Sequence, residues 1–138
     1  MYHKKNLANT SENEKTIYYK KKIGNSGEDD ATKYLINLNY EILFRNFSCN
    51  FGEIDIIALD KNVEPNEIVF VEVKNRTNTN CGNPSEAVNF VKIRHLYKVA
   101  MYFMYLYNLE DNAIRFDVIE VLNSSINHIK KAITDSPL

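Results

Sequence analysis

Cysteine is scarce in this chain. The 138 residues hold two, Cys49 and Cys81, with no CxxC pair and no neighbouring histidine. That speaks against a disulfide framework or a zinc site, and it suits a reducing cytoplasm. Long apolar runs are missing as well. The most apolar stretch, VAMYFMYLY at 99–107, is far too short to cross a bilayer. The opening MYHKKNLANTSENEK contains no apolar segment of the signal-peptide kind, so no secretory targeting is expected. There is no internal repeat and no low-complexity linker. A basic excess is absent too, since the net charge is −1. Residues 1–22 carry six lysines against two glutamates, and residues 23–138 carry eleven Lys/Arg against sixteen Asp/Glu. An acidic main body argues against a broad basic face that grips nucleic acid. It leaves room for a nuclease, because carboxylates gathered around metal ions contribute to the same acidity.

What is present fits one domain. Hydrophobic residues make up 44% and charged residues 25%, an ordinary globular composition able to bury a core. Residues 1–22 lack hydrophobic periodicity and read as a flexible lysine-rich tail ahead of a single domain, 23–138. A helix is expected from Asn25 or Ser26, with Ala31, Tyr34, Leu35 and Leu38 as its buried stripe and a stop at Asn39. Three strands follow at 40–47, 53–60 and 68–76, with a turn at Gly52. The loop 61–67 has a length that joins antiparallel neighbours. IVFVEVKNR is the most apolar strand and so the central one. After the polar loop 77–83, a long helix is expected to about Leu106, with Asn83 as cap, Pro84 in its first turn and Glu86 reaching back. IRFDVIEVL (114–122) is a strand, and INHIKKAI a short strand or helix. The fold class is therefore α/β, one sheet with packed helices, in the order αβββαβ.

Charges interrupt this pattern at a few places. Along IVFVEVKNR, Val69, Val71 and Val73 share one face, while Phe70, Glu72, Lys74 and Arg76 share the other. Along EIDIIALD, Glu53 and Asp55 point one way, and Ile54 and Ile56 the other. If these strands are neighbours, Asp55 meets Glu72 and Lys74. Two carboxylates in proximity repel unless a cation lies between them. Mg²⁺ takes oxygen ligands, keeps several waters and activates phosphate chemistry, and a lysine alongside assists the attacking water. A Glu-x-Lys pair on a strand is ordinarily a solvated face. Here both strands are too apolar for edge positions. Glu28 lies at the rim of the first helix's stripe, as a capping-box partner of Asn25 or as a fourth charged group of the site. Lys92 falls within the stripe Val88, Leu96, Val99 and Phe103, where it either snorkels to solvent or meets an anion. Arg94, His95 and Lys98 form a solvated face that can also reach a nucleic-acid backbone. Cys49, Cys81 and His128 are expected to be structural.

The segments GNSGEDDATKYL, NYEILFRNF, GEIDIIALD, VFVEVKNR, GNPSEAVNFVKIRHLYKVA and IRFDVIEV together resemble the YraN family, also called UPF0102, over about residues 23–131. That family resembles archaeal Holliday junction resolvases and belongs with the restriction-endonuclease-like, PD-(D/E)XK superfamily. The resemblance implies a restriction-endonuclease-like core and a Mg²⁺- or Mn²⁺-dependent endonuclease. It implies that Asp55 and Glu72 are metal-binding acids, with the Val73 carbonyl as a further ligand. Lys74 becomes the motif lysine and Glu28 the acid on the first helix. Lys92 takes the place of a Gln or Lys on the following helix, with Lys92, Arg76 and Arg94 expected against nucleic acid.

Three functional expectations follow. The first is a metal-dependent endonuclease on DNA, branched or otherwise non-duplex. The second is a non-catalytic nucleic-acid-binding or scaffold protein of the same fold, with affinity in the lysine-rich tail. The third is a homodimer paired through VAMYFMYLY, a run that otherwise serves as core. A cytoplasmic location and no membrane contact accompany all three.

Overall fold

The computed structural model describes residues 26–76 and 90–133. The tail 1–22, the candidate caps Asn25, Asn83 and Glu86, Pro84, Val88 and the loop 77–83 with Cys81 lie outside the described residues. Helix α1 (Ser26–Asn37) buries Gly27, Glu28, Ala31, Thr32 and Leu35. Tyr34 is half-buried, but Leu38 is 43% exposed, which corrects its place in the stripe. The physical reason is local: the helix ends at Asn37 and Asn39 turns left-handed at φ 66°, so the chain leaves the helical path before Leu38. Asparagine is among the few residues that tolerate this conformation.

Strands β1 (Tyr40–Cys49), β2 (Gly52–Asp60) and β3 (Glu67–Arg76) form an antiparallel meander. Gly52 makes the first turn at φ 140°, a region closed to side-chain-bearing residues. Helix α2 (Phe90–Leu106) belongs to the connection leading to β4 (Ala113–Leu122), which pairs parallel to β3. A parallel neighbour requires such a crossover. β5 (Ser125–Ile129) then pairs antiparallel with β4, so part of INHIKKAI is a strand. The sheet order is β1-β2-β3-β4-β5, with β3 in the centre as its apolar sequence predicts.

Alternation along β3 divides the core in two. Val69 and Val71 join Ile56, Ala58, Ile119 and Val121 beneath α1, through Ala31 and Leu35. Ile68 and Phe70 join Ile54, Ile57 and Phe116 beneath α2, through Leu96, Val99 and Phe103. The helices thus cover opposite faces of one sheet. Phe103 meets Phe44, Phe47 and Phe70 edge-on at 5.4, 5.3 and 5.9 Å between ring centres, the geometry that aromatic quadrupoles favour. Among the described residues no helix is long and apolar enough to cross a membrane.

Candidate functional site

The sheet forks where its central charges begin. β2 and β3 pair from Asp60↔Glu67 to Ile56↔Val71 and no further. β3 continues alone alongside β4, as far as Arg76↔Leu122. The side chain of Asp55 replaces the missing ladder: its Oδ2 accepts a 2.8 Å hydrogen bond from the Val73 N–H. In an extended strand the N–H and C=O of one residue point to the same side. The Val73 carbonyl therefore faces the fork as well.

The reason for the fork lies at Asp55. Regular alternation places Ile54 and Ile56 on one face, yet Ile54 belongs to the core beneath α2 and Ile56 to that beneath α1. Across the ladder, Arg45 pairs with Ile56 and Phe47 with Ile54, so Asn46 stands opposite Asp55. Asn46 has φ 52°, so a left-handed residue on β1 faces the point where β2 changes face, while the register shift of this pair lies farther back, between Ile42 and Phe44.

Four further groups surround this point. Glu72 Oε1 lies 2.7 Å from Lys92 Nζ and 3.4 Å from Lys74 Nζ. Lys92 thus meets an anion instead of snorkelling away. Glu28 is 7% exposed, and its Oε2 accepts a 2.6 Å hydrogen bond from Asn46 Nδ2, with Arg45 Nη2 at 3.5 Å. Arg45 Nη1 also holds Asp29 at 2.8 Å. The fork therefore gathers Glu28, Asp55, Glu72, Lys74 and Lys92 from α1, β2, β3 and α2. Arg76 lies farther along β3, with Nε 3.4 Å from Glu120 Oε2, and Arg94 stands on the exposed face of α2.

Electrostatics separate the roles these groups can take. Burial, then the negative charge of Glu72, pushes the Asp55 carboxyl up to about 7, with Glu28 and Glu53 adding to the rise. A carboxylate so resisted is one that a cation relieves. Burial, then the neighbouring Lys92, holds the Lys74 ammonium below its ordinary value. Burial pulls Lys92 down too, but its bond to Glu72 outweighs this and raises it. Lys74 is thus the lysine better able to give up a proton, and Lys92 the one that stays charged.

The donor set fits a hard divalent cation. Among the described residues no three Asp, Glu, His or Cys side chains draw together into a cage. Mg²⁺ does not need one, since it is held by one or two carboxylates and completes its shell with water and substrate phosphate. Asp55, Glu72 and the Val73 carbonyl are oxygen donors of that kind.

Sequence reasoning missed Asn46 and Arg45. Arg45 carries a signal, a charged residue inside the apolar run EILFRNF; Asn46 carries none beyond its tolerance of a left-handed backbone. A second buried polar cluster was missed entirely. Arg115, 5% exposed, donates to Asp117 Oδ1 at 2.9 Å, Asp60 Oδ2 at 2.8 Å, Glu67 Oε1 at 3.1 Å and the Tyr40 hydroxyl at 2.8 Å. His128 Nε2 lies 2.7 Å from Asp117 Oδ2, and its Nδ1 lies 3.1 Å from the Tyr34 hydroxyl. This cluster ties all five strands together.

Fold and site together define an α/β protein with a mixed five-stranded sheet and a carboxylate–lysine cluster at a fork in its centre. Comparison with known proteins names the group. The model of a family described as "Uncharacterised protein family UPF0102" matches residues 27–121, from α1 through β4. The chain belongs to this family. A UPF0102 protein of Caldanaerobacter subterraneus subsp. tengcongensis is 47% identical over 107 residues, covering 72% of this chain and 84% of that protein. One of Persephonella marina is 42% identical over 100 residues, covering 72% and 83%. One of Clostridioides difficile is 46% identical over 101 residues, covering 72% and 85%.

Proposed function

We propose that the chain is a Mg²⁺- or Mn²⁺-dependent endonuclease with a restriction-endonuclease-like core, hydrolysing phosphodiester bonds in DNA that is branched or otherwise non-duplex. One observation carries this reading: Asp55 sits in the sheet fork, bonded to the Val73 N–H and raised to about 7 beside Glu72. A neutral amide would accept the Val73 N–H equally well, so that bond alone does not call for a resisted carboxylate, and such groups gather at functional sites.

Asp55, Glu72 and the Val73 carbonyl would hold the ion. When bound, a divalent cation supplies neutralisation of phosphate charge and polarisation of the scissile bond. The chain's own residues do the rest. Lys92 fixes the Glu72 carboxylate through its 2.7 Å contact. Lys74, with its lowered proton affinity, assists the attacking water from Nζ and offsets developing charge. Glu28, buttressed by Asn46 and Arg45, adds negative charge that favours a cation. Rigid strands hold the acids in place better than loops do.

A second reading has one observation in its favour. Lys92 and Lys74 already neutralise Glu72 without an ion, as suits a non-catalytic nucleic-acid-binding or scaffold protein in the cytoplasm. The two readings separate in one assay. Labelled branched, flapped, single-stranded and duplex DNA are incubated with Mn²⁺, Mg²⁺ or chelator, beside Asp55→Asn. The nuclease reading expects metal-dependent cutting that falls at least ~100-fold in the variant. Unchanged cutting by Asp55→Asn would overturn the site, and binding without cutting would favour the scaffold.

A further inference from the structure

The outer face of α2 carries a pattern that the cleavage site does not use. Its sequence, FVKIRHLYKVAMYFMYL, contains no acidic residue. Arg94 and His95 are exposed and Lys98 is partly so, followed by exposed Met101, Tyr102, Tyr105 and Leu106. Positions 94, 95, 98, 101, 102 and 105 recur at three- and four-residue steps, so they form one stripe along the helix. The half nearer Lys92 is basic and the far half aromatic. Phe51, 45% exposed at the turn between β1 and β2, widens it. Lys98 Nζ lies 5.9 Å from the Phe51 ring centre, and the Tyr102 ring meets Phe51 edge-on at 6.3 Å.

The two halves ask different things of an occupant. Arg94 and Lys98, one turn apart, present positive charge from a helix that carries no acid over Phe90–Leu106. Tyr105, 71% exposed, leaves most of its ring in water. A protein partner would cover the rings but desolvate the cations. A duplex would answer the cations, but its bases are already stacked and offer no faces to the rings. A single strand answers both, with phosphates along the cations and unpaired bases on the aromatics. The charge of the stripe selects this occupant, and its continuity with Lys92, bonded to Glu72, points the track toward the fork.

We propose that this face of α2, with Phe51, binds an unpaired single-stranded segment of nucleic acid beside the Asp55 site. That the bound strand is the one cut there rests on the nuclease reading; the binding itself does not.

The test is fluorescence anisotropy of a labelled oligo-dT and of a labelled duplex, with full-length protein and chelator, so that no cleavage is needed. The wild type is expected to prefer oligo-dT. Replacing Tyr102 and Tyr105 with alanine should weaken oligo-dT binding about tenfold or more and leave duplex binding unchanged. Replacing Arg94 and Lys98 with alanine should weaken both and flatten the salt dependence. Circular dichroism and light scattering accompany each variant. Equal oligo-dT binding by a folded tyrosine variant would overturn the proposal. So would a wild-type dimer that the tyrosine variant dissociates, because the face would then belong to a second copy of the chain. Failure of the cleavage reading shows separately, as Asp55→Asn cutting like wild type while the tyrosine variant still loses oligo-dT.

Discussion

At the scale of single residues, the largest stability effect belongs to Arg115. Burial works against its charge, but its bonds to Asp117 and Asp60 outweigh this and raise its proton affinity. Around it, Asp60 and Asp117 are 1% and 2% exposed. Removing the cation strands those carboxylates, a loss that costs about 3–5 kcal/mol for buried pairs. Arg115→Leu is therefore expected to lower the unfolding free energy, read from urea titration, by about that amount. A loss below about 1 kcal/mol would show that the cluster contributes no net stability. None of this was legible in the sequence. Arg115-x-Asp117 reads as an ordinary strand pair, and its other partners lie 48 to 75 residues away. His128 reads as structural, and the structure buries its side chain to 4% exposure against Asp117. The fork residues were legible for the opposite reason. Asp55, Glu72 and Lys92 are charges inside apolar periodicities, so one chain segment suffices to expose the conflict.

At the scale of elements, the site depends on how closely α1 approaches β3. A Cβ built on Gly27 would stand 2.8 Å from Asn75 Cγ and 2.9 Å from its Cβ. The second atom is no flexible side-chain end, so Gly27→Ala must shift helix or strand. Glu28 is the next residue, and through Asn46 it meets the strand position opposite Asp55. Gly27→Ala is expected to fold but to weaken divalent-metal binding several-fold, measured by titration calorimetry beside wild type. Unaltered metal affinity would show that the position of α1 does not govern the acid cluster. The elements themselves were largely readable, because β1, β2, β3 and β4 carry strong apolar runs and α1 a strong stripe. The fork was not. Strict alternation predicts Ile54 and Ile56 on one face, and the break at Asp55 appears only once Asn46 adopts its left-handed backbone. Leu38 failed for a similar cause, since periodicity does not reveal where a helix stops.

For the whole molecule, the two charged clusters push stability in opposite directions as pH changes. Asp60 and Asp117 are each resisted by burial but held below the ordinary carboxylate value, Asp60 by Asn62 and Arg115, and Asp117 by His128 and Arg115. Their stabilisation is present above the unfolded value of 3.8 and is lost as pH falls through the folded one. Asp55 behaves in reverse, with a folded value of about 7 against 3.8 unfolded. Between those values the native state holds a proton that the unfolded chain has released, so stability declines as pH rises. Across that whole interval the decline amounts to on the order of 4 kcal/mol. The metal-free protein is therefore expected to be most stable near pH ~4 and to lose on the order of 10 °C of Tm by pH ~8. Asp55→Asn removes the titrating group, so its Tm should exceed the wild type's at the alkaline end and lie close to it at the acid end. Mn²⁺ or Mg²⁺ at pH ~8 should restore the wild type and leave the variant unmoved, because an ion bound only to the native state stabilises it by mass action. Thermal melts of both proteins across pH ~4–8, with chelator and with each metal, decide the matter. A wild-type Tm that rises steadily with pH over this range in chelator would mean that Asp55 is not resisted by its neighbours. The fork would then lose the electrostatic argument for a cation, and the carboxylate would be a backbone acceptor for Val73 alone.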